Sequence, residues 1–445
     1  MRRLLSGKIS KQSCALDMSG GLFKNRKMLE VTDLRKDALS IIEAGMDAVQ
    51  TDAVLRKKIS RKNNKLVVGR RQYQLDRYRR IFVIGIGKAS LEAAGVLEDL
   101  LGNRITDGVV LDVKRGPLKY LKSVKGSHPY PSSENIRATG EIAGILKGLD
   151  SRDLLIAIIS GGGSALLCWP YNLECVDIVG ITKTLMKKGA EIHELNTVRK
   201  HLSEIQGGQF ARLAHPATVV GLIFSDVPGD DLSMIASGPT VLDQTTVGDA
   251  ARILKKYNVL KHCKLPACQL KETPKDPELF AHVHNELIVS GSDAAKAMKR
   301  RSRELGYKPL IFSTTLDGEA REVGELLAGL PKPGQAVIAT GETTVTVLHD
   351  GKGGRNQEVA LGALEQVKED GVVVSFGSDG IDNTPVAGAI ADAVVRRRAD
   401  RKSLSPAEYL AKNRSYDFFQ QTRSYIRTGV TGVNVSDLLL SIRAK

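Results

Sequence analysis

Four ionic residues stand where glycine-rich turns interrupt apolar runs. They are Lys88 in Gly85-Ile-Gly87-Lys88-Ala-Ser90, Asp226 in Ser225-Asp226-Val-Pro-Gly229, Arg355 in Gly351-Lys-Gly-Gly354-Arg355-Asn356, and Asp379 in Gly377-Ser378-Asp379-Gly380. A lysine inside a tight turn projects a point charge at a phosphate. An arginine leaving a glycine turn at a helix start is placed to fork onto a phosphoryl group. Carboxylates at strand ends are the usual means of holding Mg²⁺ against phosphate oxygens, with turn capping as the alternative for each. Ser160-Gly161-Gly162-Gly163-Ser164 adds three consecutive glycines. Ordering them costs backbone entropy, which anion cradling by their N–H groups explains. The chemistry indicated is that of a phosphorylated anion and a metal.

Other readings of the same loops are open. Gly85–Ser90 is one residue short of the dinucleotide fingerprint GxGxxG, with Ser90 at the third glycine and Asp112 placed to act as the ribose-binding acid. That supports a nicotinamide enzyme. The triglycine turn is not a P-loop, since no Gly-Lys-Ser/Thr follows, and GxSxG is absent there. Arg199, in Asn196-Thr-Val-Arg199-Lys200-His201, suits a carboxylate or phosphate, although basic helical faces are common. Glu342 follows another apolar run in Thr340-Gly341-Glu342. The histidines show no metal spacing, and His128 reads as a structural loop residue.

The elements that must position these loops alternate between strand and helix. Continuous Val- and Ile-rich runs at 81–84, 154–159, 219–224, 336–339 and 372–376 read as strands buried on both faces of a parallel sheet. Ligands in such sheets sit beyond the carboxyl ends of the strands. Helical spacing marks 33–50, 91–101 and 134–149. Periodicity lapses over Lys264–Pro277, where the domain boundary is expected. A second alternation is read from Leu287–Val289 through helices at 294–305 and 319–327 and strands at 309–313, 336–339 and 343–348. The expected division is 1–27 as a disordered or artefactual basic extension, 28–275 as the first domain and 276–445 as the second.

At 445 residues, two full cores fit, and no apolar run approaches the roughly 20 residues of a spanning helix. Five cysteines without a CxxC pair suit a reduced, cytoplasmic setting with idle thiols. Much of the net charge of +15 lies in Arg56–Arg80, where eleven Lys/Arg face only Asp76. With few aromatics and no binding module there, a solvated hairpin or helix face is expected, not a nucleic-acid arm. The basic residues of 1–27 also suit an organellar transit peptide.

Taken together and in this order, Val83–Ser90, Gly126–Pro131, Leu155–Leu167, Leu195–Gly208, Phe224–Thr240, Thr340–Val347, Gly353–Ala360, Phe376–Ala391 and Thr428–Asp437 resemble the glycerate kinase family whose C-terminal half is called the MOFRL domain. The resemblance implies an α/β fold of two α/β/α domains. The first is a Rossmann-like parallel sheet, the second a smaller mixed sheet, with the active site in the cleft between. It implies ATP-dependent phosphorylation of D-glycerate, usually at the 2-hydroxyl, with Mg²⁺. Lys88 and Arg355 become the catalytic cations. Gly87, Ser160, Gly161, Gly162, Gly163, Ser164, Arg199, Glu342, Asn356 and Asn434 become contacts to substrate or nucleotide, and Asp226 and Asp379 the metal carboxylates. The family's last glycine element more often reads Thr-Gly-Pro-Thr-Gly-Thr-Asn-Val-Asn-Asp; here Val430, Val433 and Ser436 depart from it, and Val433 lacks a hydroxyl. The alternatives are a nicotinamide-dependent hydroxypyruvate reductase and phosphorylation at the 3-hydroxyl. A homodimer is compatible, and neither membrane nor specific nucleic acid is expected as a partner.

Overall fold

The computed structural model describes residues 21–263 and 269–445. The first twenty residues of the expected extension, and Cys14 and Cys268, lie outside the described residues. The end of that extension is built into the fold. Phe23 is buried with its ring edge-on to Phe376, centroids 6.1 Å apart, and Arg26 forks onto Glu43 at 2.6 and 2.8 Å.

Strands β1 (Ile59–Lys62), β2 (Lys65–Val68) and β3 (Arg71–Gln74) form a small antiparallel sheet, the hairpin reading of the basic stretch. Distant acids meet part of its charge: Arg56 pairs with Asp99, Arg79 with Asp150 and Arg80 with Asp153.

The first large sheet contains β4 (Arg80–Ile86), β5 (Asp107–Asp112), β6 (Lys122–Lys125), β7 (Asp153–Ile159), β8 (Thr218–Phe224) and β9 (Val283–Val289). It is parallel throughout, in the order β6-β5-β4-β7-β8-β9. Every residue of β7 is buried, as a strand covered on both faces requires. Strand order reverses between β4 and β7, so Gly85–Ser90 and Ser160–Ser164 emerge side by side at the topological switch point. Strand β9, read from sequence as opening the second alternation, is the edge of this first sheet. The second alternation starts with the helix Gly291–Glu304.

The second sheet is mixed. Its strands are β10 (Lys308–Leu316), β11 (Gln335–Gly341), β12 (Gly371–Gly377), β13 (Gly388–Asp392), β14 (Tyr425–Ile426) and β15 (Asp437–Arg443), ordered β10-β11-β15-β12-β13-β14. Only β10 and β11 run parallel. The strand expected at 343–348 does not form. Thr344 makes one isolated bridge to Glu319, and the N–H groups of Leu348 and His349 go to Asn413 Oδ1 at 2.8 and 3.2 Å.

The helix Asp33–Asp47 precedes the first sheet in sequence but packs against the second, touching β12, β15 and the helix Gly291–Glu304. Gly45 permits the approach, since a Cβ there would stand 2.8 Å from Met298 Cγ. Arg35, fully buried, anchors the helix by a bidentate pair with Asp392 at 2.6 and 2.8 Å. Among the described residues no helix is long and apolar enough to cross a membrane.

Candidate active site

Ser160 stitches the two switch-point loops together. Its Oγ accepts from the N–H of Ala89 at 3.1 Å and donates to Ile86 O at 3.2 Å, while Lys88 N–H donates to Gly161 O at 3.0 Å. Gly87 has φ +111°, and a Cβ there would overlap Ser160 Oγ at 2.2 Å. The Ser160 hydroxyl is therefore engaged inside the fold. Asp112, the residue read as a ribose acid, caps the helix Ser90–Leu101 by accepting from Leu91 N–H at 2.9 Å. Both observations leave the turn itself, not these side chains, to meet an anion.

The triglycine turn is packed so that its face stays open. A Cβ on Gly161 would lie 2.0 Å from Asp226 Oδ2, and one on Gly162 would lie 3.4 Å from Lys88 Cε and 3.2 Å from His128 Cδ2. The N–H groups of Gly161 and Gly162 have no backbone partner among the described residues, whereas that of Gly163 donates to Ser160 O at 3.2 Å. Ser164 is turned inward, its Oγ accepting from Ser237 Oγ at 2.9 Å. The Lys88 ammonium has no carboxylate partner among the described residues.

Asp226 reaches this turn from β8 and is held from the second sheet's side. Asn434 Nδ2 donates to its Oδ2 at 3.0 Å, and Ser436 Oγ donates to its backbone carbonyl at 3.0 Å. Burial, reinforced by the Glu342 charge and opposed by Lys88, pushes the Asp226 carboxyl up to about 6.

Arg199 lies on the helix Ile192–His201. It borders a cavity with Tyr130, Ser164, Trp169, Thr182 and Gln206. Burial lowers its affinity for protons, and no carboxylate pairs with it among the described residues. A half-buried cation with no carboxylate beside it favours an anionic ligand. The wall of that cavity is closed by a disulfide between Cys168 and Cys175, Cα atoms 6.3 Å apart, which corrects the expectation of idle thiols for this pair.

Arg355 opens the helix Arg355–Ala363. It forks onto Asp437 through Nε and Nη2 at 2.6 and 3.1 Å and gives Nη1 to Glu342. Burial pushes Asp437 up to about 6 against the pull of Arg355. Asn356 is interior: its Nδ2 donates to Asp437 Oδ1 at 2.9 Å and its Oδ1 accepts from Ser375 Oγ at 2.6 Å. Asp382 caps this helix, taking the N–H groups of Asn356 and Gln357 at 3.1 and 2.9 Å. Gly354 is obligatory beside it, since a Cβ would meet Asp382 at 2.3 Å.

The two metal candidates differ in setting. Asp379 Oδ1 accepts from Ile381 N–H at 3.0 Å, as a turn cap does. Asp226 is desolvated, faces the glycine turn and has no cation hydrogen-bonded to it among the described residues. Mg²⁺ binds through one or two carboxylates, several waters and substrate phosphates, so a single Asp226 fits it. Among the described residues no cluster of three metal-ligating side chains forms.

His128, read from sequence as a structural loop residue, lies against the triglycine turn. The signal was present in Ser127-His-Pro-Tyr-Pro131, but nothing local says that the loop folds against Gly162. The residue is exposed on its outer side, and desolvation on the side facing the turn, with Lys88 and Arg199, pushes its imidazole down to about 4.

Comparison with known proteins agrees with this geometry. Residues 37–269 match the family described as a domain of unknown function (DUF4147), and residues 335–437 match the MOFRL family. A glycerate 2-kinase from Pyrococcus horikoshii is 34% identical, the match covering 92% of this chain and 97% of that protein. A protein from Agrobacterium vitis that carries a hydroxypyruvate reductase name is 37% identical over 81% of this chain and 86% of its own. The crystal structure of a glycerate kinase from Thermotoga maritima superposes with a TM-score of 0.78 at 32% identity, covering 92% of this chain and 99% of that one. The paired sheets, the two cation-bearing glycine turns and these full-length matches place the chain in the glycerate kinase family with a MOFRL domain, a family of kinases.

Proposed function

We propose that the chain transfers the γ-phosphoryl group of ATP to the 2-hydroxyl of D-glycerate, releasing ADP. The observation that carries this reading is the convergence of Lys88, the open Gly161–Gly162 turn and Asp226 at the switch point, with Arg199 in the cavity that Ser164 also borders. Phosphoryl transfer asks a protein for positioning and for cations at the developing charge rather than for covalent chemistry. Lys88 and Arg355 supply those cations from the two halves of the chain. The Gly161 and Gly162 N–H groups bind anionic oxygens, and Arg199 takes a carboxylate or a phosphate. Asp226 would hold Mg²⁺, which supplies charge neutralisation at the nucleotide phosphates when bound. Asn434 orients Asp226, and Glu342 with Asp437 fixes the plane of the Arg355 guanidinium.

The test is a pair of coupled assays on one preparation: ADP formation with D-glycerate, and NADH oxidation with hydroxypyruvate. Glycerate-dependent ADP release is expected. Reductase turnover without ADP would replace the kinase reading with the reductase one. The 2-hydroxyl assignment rests on the family resemblance and on relatives such as the Pyrococcus horikoshii protein. Enolase converts 2-phosphoglycerate directly, so phosphoenolpyruvate is expected without added mutase. A mutase requirement would assign the 3-hydroxyl instead.

A further inference from the structure

We propose that His128 is a catalytic residue, the group that takes the proton from the acceptor hydroxyl as it attacks. The inference rests on the kinase reading of the site. Its first support is position. The edge of the imidazole faces the triglycine turn: a Cβ on Gly162 would lie 3.4 Å from His128 Nε2 and 3.4 Å from Lys88 Cε. The space between the glycine turn, the lysine and the imidazole is thus bounded by one cation and one neutral acceptor.

The second support is that the other acceptors are committed. Asp112 and Asp382 cap helices and Asp379 caps a turn. Asp437 and Glu342 are gripped by Arg355. Asp226 accepts from Asn434. Neither ring nitrogen of His128 has a hydrogen-bond partner among the described residues.

The third support is that the loop is fixed. Asn135, fully buried, accepts from Ser127 N–H at 2.8 Å and Ser132 N–H at 3.1 Å. Its Nδ2 donates to Ser127 O at 3.1 Å and Leu166 O at 3.2 Å. One side chain therefore ties both ends of the His128 loop to the helix that follows the triglycine turn. A loop held this way presents the imidazole to the turn from a fixed position.

The step balances as follows. An oxygen lone pair of the hydroxyl forms the new bond to phosphorus, and the bond from phosphorus to the bridging oxygen of the nucleotide breaks, its electrons leaving with ADP. The hydroxyl proton passes to an imidazole nitrogen and is lost to water when product leaves. Desolvation, then Lys88 and Arg199, keep the ring unprotonated beforehand, and the anionic donor offsets both cations once bound. In a loose transition state the acceptor has to be well placed more than strongly basic.

The test uses His128→Ala and His128→Gln with D-glycerate, ATP and Mg²⁺. Removal of a general base lowers turnover by about 10²–10⁴-fold. That loss is expected in both variants, with the Michaelis constants for ATP and glycerate within about threefold and circular dichroism unchanged. Added imidazole is expected to restore turnover to His128→Ala saturably, with rates that rise with the basicity of substituted imidazoles. Turnover within about threefold of the parent in either folded variant overturns the proposal. So does a loss that imidazole does not rescue. If the parent itself forms no ADP with glycerate, the kinase reading has failed, which is a separate result.

Discussion

Arg355 lays Nε and Nη2 on the carboxylate of Asp437 at 2.6 and 3.1 Å, from 82 residues away in the sequence. The pair presents the guanidinium with its plane fixed and its third nitrogen on Glu342. Arg355→Lys is therefore not conservative, because a single ammonium cannot reproduce a fork. Arg355→Ala and Lys88→Ala should each lower turnover by ~10²-fold or more, the scale of a preorganised charge. Steady-state kinetics decide it: intact turnover with a raised Michaelis constant makes both residues ground-state binders.

Asp226 and Asp437 are both pushed up to about 6 from an ordinary 3.8. A raised carboxyl means that the native state takes up protons which the unfolded chain does not, between about pH 6 and 4. These two groups therefore favour folding as pH falls through that window. Activity should move the opposite way, since Asp226 must be ionised to hold a cation. We expect kcat/KM to fall as pH drops through 6 without a matching loss of thermal midpoint contributed by these groups. Asp226→Asn should be nearly inactive at any pH. A profile flat to pH 5 contradicts the assignment.

Arg35→Ala leaves the buried carboxylate of Asp392 unpaired, with both side chains almost wholly inaccessible in the native pair. Breaking such a pair from one side costs about 3–5 kcal/mol. Urea unfolding should show that loss, while the double variant Arg35→Met with Asp392→Leu should recover part of it. A loss under about 1 kcal/mol would mean that the helix Asp33–Asp47 is held by its apolar face alone.

Two glycines give a matched contrast. Gly161→Ala drives a methyl into Asp226 Oδ2 at 2.0 Å and should lower kcat/KM by about a hundredfold, as displacements of an ångström do. Gly95, in the helix Ser90–Leu101, has nothing within 4 Å of a new Cβ, so Gly95→Ala should stabilise by about 0.5–1 kcal/mol with kinetics unchanged. Thermal melts and initial rates on both variants check the pair.

The strand-end loops were legible because β7 and β12, apolar on both faces, can only be interior strands, and glycine follows each. The end of β9 was read as a strand, but its start and its sheet were not, since Val283–Leu287 is only half-buried and its membership depends on pairs such as Val219 with Val283. The run Thr343–Leu348 alternates like a strand, yet Asn413 claims the N–H groups of its last residue, Leu348, and of His349 just beyond. Which hydroxyls and carboxylates face the ligand was also out of reach. Ser160 and Asp112 stand at ligand-binding positions in sequence but are used to hold the loops, a choice set by tertiary neighbours. The proximity of His128 to Gly162 arises from Asn135, which bonds both segments at once.

The last strand, β15, lies between β11 and β12 in the middle of the second sheet, and the helix Asp33–Asp47 packs on it. During synthesis the helix Asp33–Asp47 can meet the helix Gly291–Glu304 and β12 before β15 exists, so the cover over Leu39, Ile42 and Met46 is completed last, by residues 437–443. A ribosome stalled before residue 437 therefore holds that helix against a second sheet whose central position is vacant.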